Sequence, residues 1–319
     1  MPLGLSEYID SLEDRRDLIW PKPPKPVPLK ATPSVAPLPG IKVVTWNIYG
    51  TLLRIDQGQL MFSHPQELRM QIALEKTIAE FNMWNSMSRK PGQPWEYMLR
   101  QYSAVVEEAG MVSTKRKGDY PETDSRKIWK KLLERLVKNE YEWDQGLYGD
   151  LDDLAAKVAY FFHANLQGTA ANDHAAEVLS QLMTGGVRCG LLADGQVFTL
   201  PQLLRDLKRQ SGVSRMTDVL SMDFVILSTQ VGLRKPSVSL FREAVDRFQQ
   251  KGISPEQVLH VSQLHSDDLA FAKKAGMKTA LFAADKSTCR VNAEELKMPD
   301  RKPDRLISDL RQIRDILQI

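Results

Sequence analysis

The sequence predicts an α/β protein: a doubly wound parallel sheet with an inserted helical domain. Two observations predict it. Strand-like and helix-like segments alternate from residue 172 to the end, which argues for a parallel sheet covered by helices on both faces. A first strand near residue 45 is cut off from that alternation by residues 56–170, which read as helix almost throughout.

The elements follow in order. Leu5, Ile9, Leu12 and Ile19 could line one side of a short helix between Ser6 and Ile19. Eight of the 18 prolines then fall between Pro21 and Pro39. Such a run cannot be helix or central strand and favours extended polyproline II. Residues 1–40 are therefore set apart as a Pro-rich arm. It either lies on the domain surface or docks a protein partner through its prolines. The run Ile41 to Leu52 reads as a buried strand feeding a Gly-containing turn. Gln66–Trp84, Trp95–Gly110, Asp124–Trp143 and Asp150–Leu166 carry apolar residues at helical spacing, with Asp124 and Ser125 as N-cap chemistry. Loops rich in Gly, Pro and Lys separate them. Beyond 172 come helix Asp173–Met183, strand Val187–Ala193, helix Leu200–Gln210 and strand Phe224–Ser228. Helix Ser237–Gln250, strand Val258–Ser262, helix Asp267–Ala275, strand Lys278–Phe282 and helix Arg305–Leu317 complete the chain. The domains expected are the arm, an α/β core from 41–55 and 171–319, and a helical domain from 56–170.

Composition narrows the function classes. The 319 residues are 42% hydrophobic and 26% charged, with a net charge of +3 and the signs interspersed. That is a soluble composition with no basic stripe for nucleic acid. No apolar stretch is long enough to cross a bilayer, and no secretory signal is seen. Two cysteines, Cys189 and Cys289, do not make a disulfide framework, so a reducing, cytoplasmic setting is expected. His260 and His265 read as structural histidines. Gly185-Gly186 precedes a strand, the wrong side for a phosphate-binding loop.

Four segments at strand ends carry the chemistry, at the place where open α/β sheets bind ligands. They are Trp46-Asn47-Ile48-Tyr49-Gly50-Thr51-Leu52, Leu191-Leu192-Ala193-Asp194-Gly195, Val231-Gly232-Leu233-Arg234-Lys235-Pro236, and Val261-Ser262-Gln263 continuing to Asp267-Asp268. In order and context they resemble the motifs of the haloacid dehalogenase (HAD)-like hydrolases, whose Rossmann-like core carries a helical cap of the first type where residues 56–170 fall. The resemblance covers the chain after residue 40.

It implies a specific chemistry, and the side chains depart from it. The family's nucleophilic Asp, which also helps hold Mg2+, corresponds to Asn47, a neutral amide and a far weaker nucleophile. Tyr49 stands where phosphatases of the family carry a general-acid Asp, and looks more like the metal-free dehalogenase branch. Ala193 replaces the Ser or Thr whose hydroxyl binds the substrate anion. Asp194 is either a helix N-terminal or turn carboxylate, or a charge opposing an anion. Lys235 matches the family's charge-balancing Lys. Without an acidic residue 47 it pairs with Asp268, binds an anion or is a solvated loop cation. Gln263 replaces a metal-binding Asp, and Asp268 matches the second acid. Alone or with Asp267, Asp268 makes a weak Mg2+ site at best, and both acids could simply serve a helix N-terminus. The reading is a HAD-like hydrolase homologue, catalytically inactive, acting as a binding or scaffold protein, with no cofactor. Its ligand contacts would come from Asn47, Tyr49, Asp194 and Lys235. The alternative is an active phosphatase or dehalogenase with a rearranged site and Mg2+. A third reading makes the arm the functional element and the domain its carrier.

Overall fold

The computed structural model describes residues 2–87, 91–112, 119–291 and 294–319. The Lys-rich loop expected after Gly110 falls partly at 113–118, outside those residues. Six strands form one parallel sheet: β1 (Val43–Trp46), β2 (Arg188–Ala193), β3 (Val225–Leu227), β4 (Val258–Ser262), β5 (Lys278–Phe282) and β6 (Arg305–Ile307), in the spatial order β6-β5-β4-β1-β2-β3. All five pairings are parallel. Central strands buried on both faces need near-continuous apolar sequence, and Val43, Val44, Thr45 and Trp46 are all fully buried. The alternation of side chains splits the core. Val44, Trp46, Cys189 and Leu191 pack with helices Ala175–Thr184, Thr199–Ser211 and Gln312–Leu317. Val43, Leu192 and Ile226 pack with Val238–Gln250 and Ala270–Lys274 on the other face. The sheet is thus doubly wound, with the carboxyl ends of β2, β1 and β4 side by side.

The residues between β1 and β2 supply a helical domain with its own core. Its main helices are Glu67–Glu80, Pro94–Val112, Ser125–Val137 and Leu151–Leu166. The last is buried from Leu154 to Leu166, with Lys157, His163 and Asn165 among its buried residues. Phe162 meets Tyr102 and Trp129 at ring-centroid distances of 4.9 and 5.2 Å. Asp124 caps Ser125–Val137 by accepting from the backbone N–H groups of Arg126 and Lys127.

The arm is stitched to the surface along its length. A helix at Leu5–Ser11 buries Tyr8 and Ile9, and Leu12 just beyond it is buried too, all in the helical domain's core. Glu13 pairs with Arg209 of the sheet-packing helix at 2.6 Å. Leu29 donates its backbone N–H to Ala284, and Ser34 bridges β6 as an added antiparallel partner. A three-residue edge strand is thereby covered rather than left open. Gly168 marks the tightest passage, since a Cβ there would lie 2.2 Å from the Pro21 carbonyl oxygen.

Two expectations need correction. The first helix ends at Ser11 and leaves Ile19 78% exposed, because beyond Leu12 the chain turns away and the Ile19 carbonyl accepts from the Lys76 ammonium. Arg305–Ile307 is a strand paired with Ala280–Phe282, and the last helix begins only at Gln312. A short apolar run has no period that separates strand from helix, and the open edge of β5 decided it. No helix among the described residues is long and apolar enough to cross a membrane.

Candidate functional site

The sheet register brings the strand ends together. Trp46 is paired with Leu191 on one side and Val261 on the other, so the next residues, Asn47, Ala193-Asp194 and Ser262-Gln263, share one floor. After Asn47 the chain turns at Gly50, with φ +86°. A Cβ on Gly50 would meet the Gln263 Nε2 at 2.3 Å, so glycine is required both for the turn and for the close approach of Gln263.

A single hydrogen-bonded network fills this floor. Asn47 Nδ2 donates to the Tyr49 carbonyl (3.1 Å) and to Gln263 Oε1 (3.0 Å). Gln263 Oε1 also accepts from the Thr51 hydroxyl at 2.7 Å. Gln263 Nε2 donates to the carbonyls of Tyr49 (2.8 Å) and Gly58 (3.1 Å). Lys235 Nζ donates to Asn47 Oδ1 (3.2 Å), the Leu192 carbonyl (2.7 Å) and Asp268 Oδ2 (2.6 Å). Asp268 Oδ1 lies 2.9 Å from His260 Nε2, and His260 Nδ1 lies 3.0 Å from the hydroxyl of its cross-strand partner Thr45. A carboxylate only accepts, so the Nε2 carries the proton. Asn47, Lys235, Gln263, His260 and Asp268 are each at most 5% exposed. Burial by itself would raise the Asp268 carboxyl. Lys235 and His260 outweigh it and hold the group down to about 2.

The remaining sequence candidates are also placed. Asp194 Oδ1 accepts from the backbone N–H of Lys235 at 2.9 Å. It tethers the third motif and does not cap a helix. Burial pushes it up to about 6, Lys235 offsetting only part. The Tyr49 hydroxyl turns away from the floor, donating to Gln202 Oε1 at 2.8 Å and meeting the Thr199 hydroxyl at 3.0 Å. Ala193 is fully buried and brings only a methyl group. His265 is buried 3.0 Å from the Arg301 carbonyl, away from the network.

Above the floor lies a cavity of about 150 Å3 between the helical domain and the sheet, lined by Asn47, Tyr49, Phe62, Glu122, Asp194 and Arg234 among others. Glu122 was not visible as a site residue in the sequence. It lies on no periodic element, and only the latch formed where Tyr120–Pro121 pairs antiparallel with Leu233–Arg234 brings it to the cleft. Burial, and then the charge of Asp194, push its carboxyl up to about 7.

A raised carboxyl keeps its proton in the folded protein, so its stabilising contribution is full below about 4.5 and is lost as pH rises through about 7. Glu122→Gln removes that loss. Urea unfolding at pH 5, 6, 7 and 8 is expected to show the variant gaining on the wild type as pH rises; parallel profiles would contradict the assignment.

The profile of the haloacid dehalogenase-like hydrolases matches residues 41–276. The chain belongs to this family. Among similar proteins, the HAD-like chain is 26% identical over 139 residues to the glyceraldehyde 3-phosphate phosphatase of Methanothermobacter thermautotrophicus, covering 44% of this chain and 55% of that one. It thus spans about half the length of that curated relative. The 2-haloacid dehalogenase of Pseudomonas syringae pv. Tomato superposes with a TM-score of 0.52 at 19% identity, covering 86% of this chain and 97% of the other. The L-2-haloacid dehalogenase of Xanthobacter autotrophicus, with chloropropionic acid covalently bound, gives 0.41 at 19% identity, covering 86% and 96%. The likeness to the Pseudomonas protein shows the fold.

The phosphatase branch of the family implies Mg2+, and the residues at this HAD-like floor do not fit it. A hard cation needs converging oxygen acceptors. Here two amide N–H donors converge on the Tyr49 carbonyl oxygen instead. Of the two acids at the floor, Asp268 is already paired with Lys235 and His260, and Asp194 is held by the Lys235 backbone N–H. Among the described residues no cluster of three or more His, Cys, Asp or Glu could hold a metal ion.

Proposed function

We propose that this HAD-like chain is a catalytically silent member of its family that works by binding, as a ligand-holding or scaffold protein. The observation that carries this reading is the state of Asn47. Its amide oxygen accepts from Lys235, and its nitrogen is committed to Tyr49 and Gln263. A neutral amide in that position is a poor nucleophile, and of the other carboxyls at the floor Asp268 is ion-paired and Asp194 is held by the Lys235 backbone N–H. The phosphatase relative acts on a phosphate ester by its name. Here Ala193 offers that group no hydroxyl. Free thiols at Cys189 and Cys289 support a reducing, cytoplasmic setting as part of the proposal.

A working hydrolase with a rearranged site is the second reading. Glu122 and Asp194 favour it, because carboxyls near 7 and near 6 in a cleft suit general acid–base work. One experiment separates the two. Wild type is expected to show no turnover of p-nitrophenyl phosphate or 2-chloropropionate, and the double variant Asn47→Asp, Gln263→Asp should keep its fold and gain weak Mg2+ binding by calorimetry. Turnover by the wild type that disappears in Lys235→Met, or that the double variant destroys, would establish the hydrolase instead.

A further inference from the structure

We propose that the cavity between the helical domain and the sheet is a site for a small organic ammonium ion, held between the carboxylates of Glu122 and Asp194 and the rings of Tyr49 and Phe62. This rests on the reading of the cleft as a binding site and names its ligand class, which is opposite in charge to the anionic substrates of the family.

Most of the donors that an anion would need at the floor are spent. Lys235 has three N–H bonds, and Asn47, Leu192 and Asp268 accept all three. At the turn after β2, the backbone N–H of Gly195 donates to the Ser228 hydroxyl (2.9 Å) and that of Gln196 to the Thr199 hydroxyl (2.7 Å). The Gln196 side chain accepts from the Ser125 backbone N–H and donates to the Thr123 carbonyl. Apart from the second Nε2–H of Gln196, none of these groups is left to face a phosphate or a carboxylate.

The charge on the lining points the same way. Lys235 and Asp268 cancel each other below the floor. The cavity wall then carries two carboxyls, Glu122 and Asp194, against one guanidinium, Arg234, which is exposed at the rim. Above about pH 7, where Glu122 as well as Asp194 has lost its proton, the wall is one unit negative, and a monocation balances it. Glu122 is built into that place: its backbone N–H donates to the Gly232 carbonyl at 3.0 Å, and its Oε1 accepts from the Thr123 N–H at 2.8 Å. Two like charges facing one cavity cost folding stability, a cost commonly retained where a ligand is bound. Two aromatic residues, Tyr49 and Phe62, line the same wall, a composition that suits an organic cation. At about 150 Å3 the cavity matches one that admits benzene, so the ligand has roughly six heavy atoms.

The test is calorimetric titration of the full chain at pH 8, where both acids are ionised, with n-butylammonium chloride and, separately, with inorganic phosphate. Saturable binding of butylammonium, no binding of phosphate, and an affinity lowered about ten-fold or more in Glu122→Gln are expected, the size of a lost charged hydrogen bond. Asp194→Asn should behave alike. Should it fail to fold, Glu122→Gln, whose side chain is only half-buried, decides alone. Absence of butylammonium binding, tighter binding of phosphate, or an unchanged affinity in Glu122→Gln overturns the proposal. The turnover assays above are read separately: a silent protein that ignores butylammonium sinks only this inference, and a hydrolase that binds it sinks only the silent reading.

Discussion

Asp268→Ala is expected to lower the unfolding free energy by about 3–5 kcal/mol, the size measured when one partner of a buried ion pair is removed. Lys235 would be left at 5% exposure with an ammonium facing only the Asn47 and Leu192 oxygens. His260, fully buried, would lose the acceptor for its Nε2–H. Removing Lys235 and Asp268 together, as Lys235→Met with Asp268→Leu, should cost less than Asp268→Ala alone, because no uncompensated charge stays behind. The pH dependence has a definite sign. The Asp268 carboxyl is depressed in the folded state, so its contribution is complete above about 3.8 and fades as pH falls through about 2. Urea unfolding of the single and double variants at neutral pH is the check. A change below about 1 kcal/mol for Asp268→Ala would mean that the network does not hold the floor.

Deleting residues 2–40 is expected to destabilise the protein by about 5 kcal/mol or more and to make it self-associate. Ile9 and Leu12 are at most 2% exposed, and each such side chain contributes about 1.5–3 kcal/mol when buried. Tyr8 adds its own buried ring against Phe81 and Tyr148. At the other end of the arm, Ser34 exchanges two backbone hydrogen bonds with Leu306, and Leu38 donates to Ile316. Losing them reopens the edge of β6 to pairing with another chain. Denaturation midpoints and light scattering report both effects. A truncated chain that stays monomeric with an unchanged midpoint would make the arm an appendage. In that case the reading in which its prolines dock a partner would gain weight.

Much of the architecture was legible in sequence. β1, β2, β4 and β5 are short β-rich apolar runs between helical stretches, and burial on both faces leaves just that pattern. Arg305–Ile307 was misread because three residues carry no period. The first helix was drawn too long because Ile19 matched the helical spacing although it points to solvent. At the site, the positions of Asn47, Ala193, Lys235, Gln263 and Asp268 could be read from motif order. The role of His260 could not, because its pairing with Thr45 and Asp268 joins three separate stretches of chain. Glu122 left no local signal at all.

The sequence by itself determined which chemical groups stand at the strand ends: amides at 47 and 263, a methyl at 193, an ammonium at 235. Those are covalent facts, and burial at the end of an apolar strand follows from local pattern. Only the tertiary structure decided that each Lys235 donor meets an acceptor, and that Glu122 is carried across to share a cavity with Asp194. Hydrogen-bond partners and opposed charges are set by strand order and by the latch at Tyr120–Pro121, and contacts between distant segments leave no trace in local periodicity.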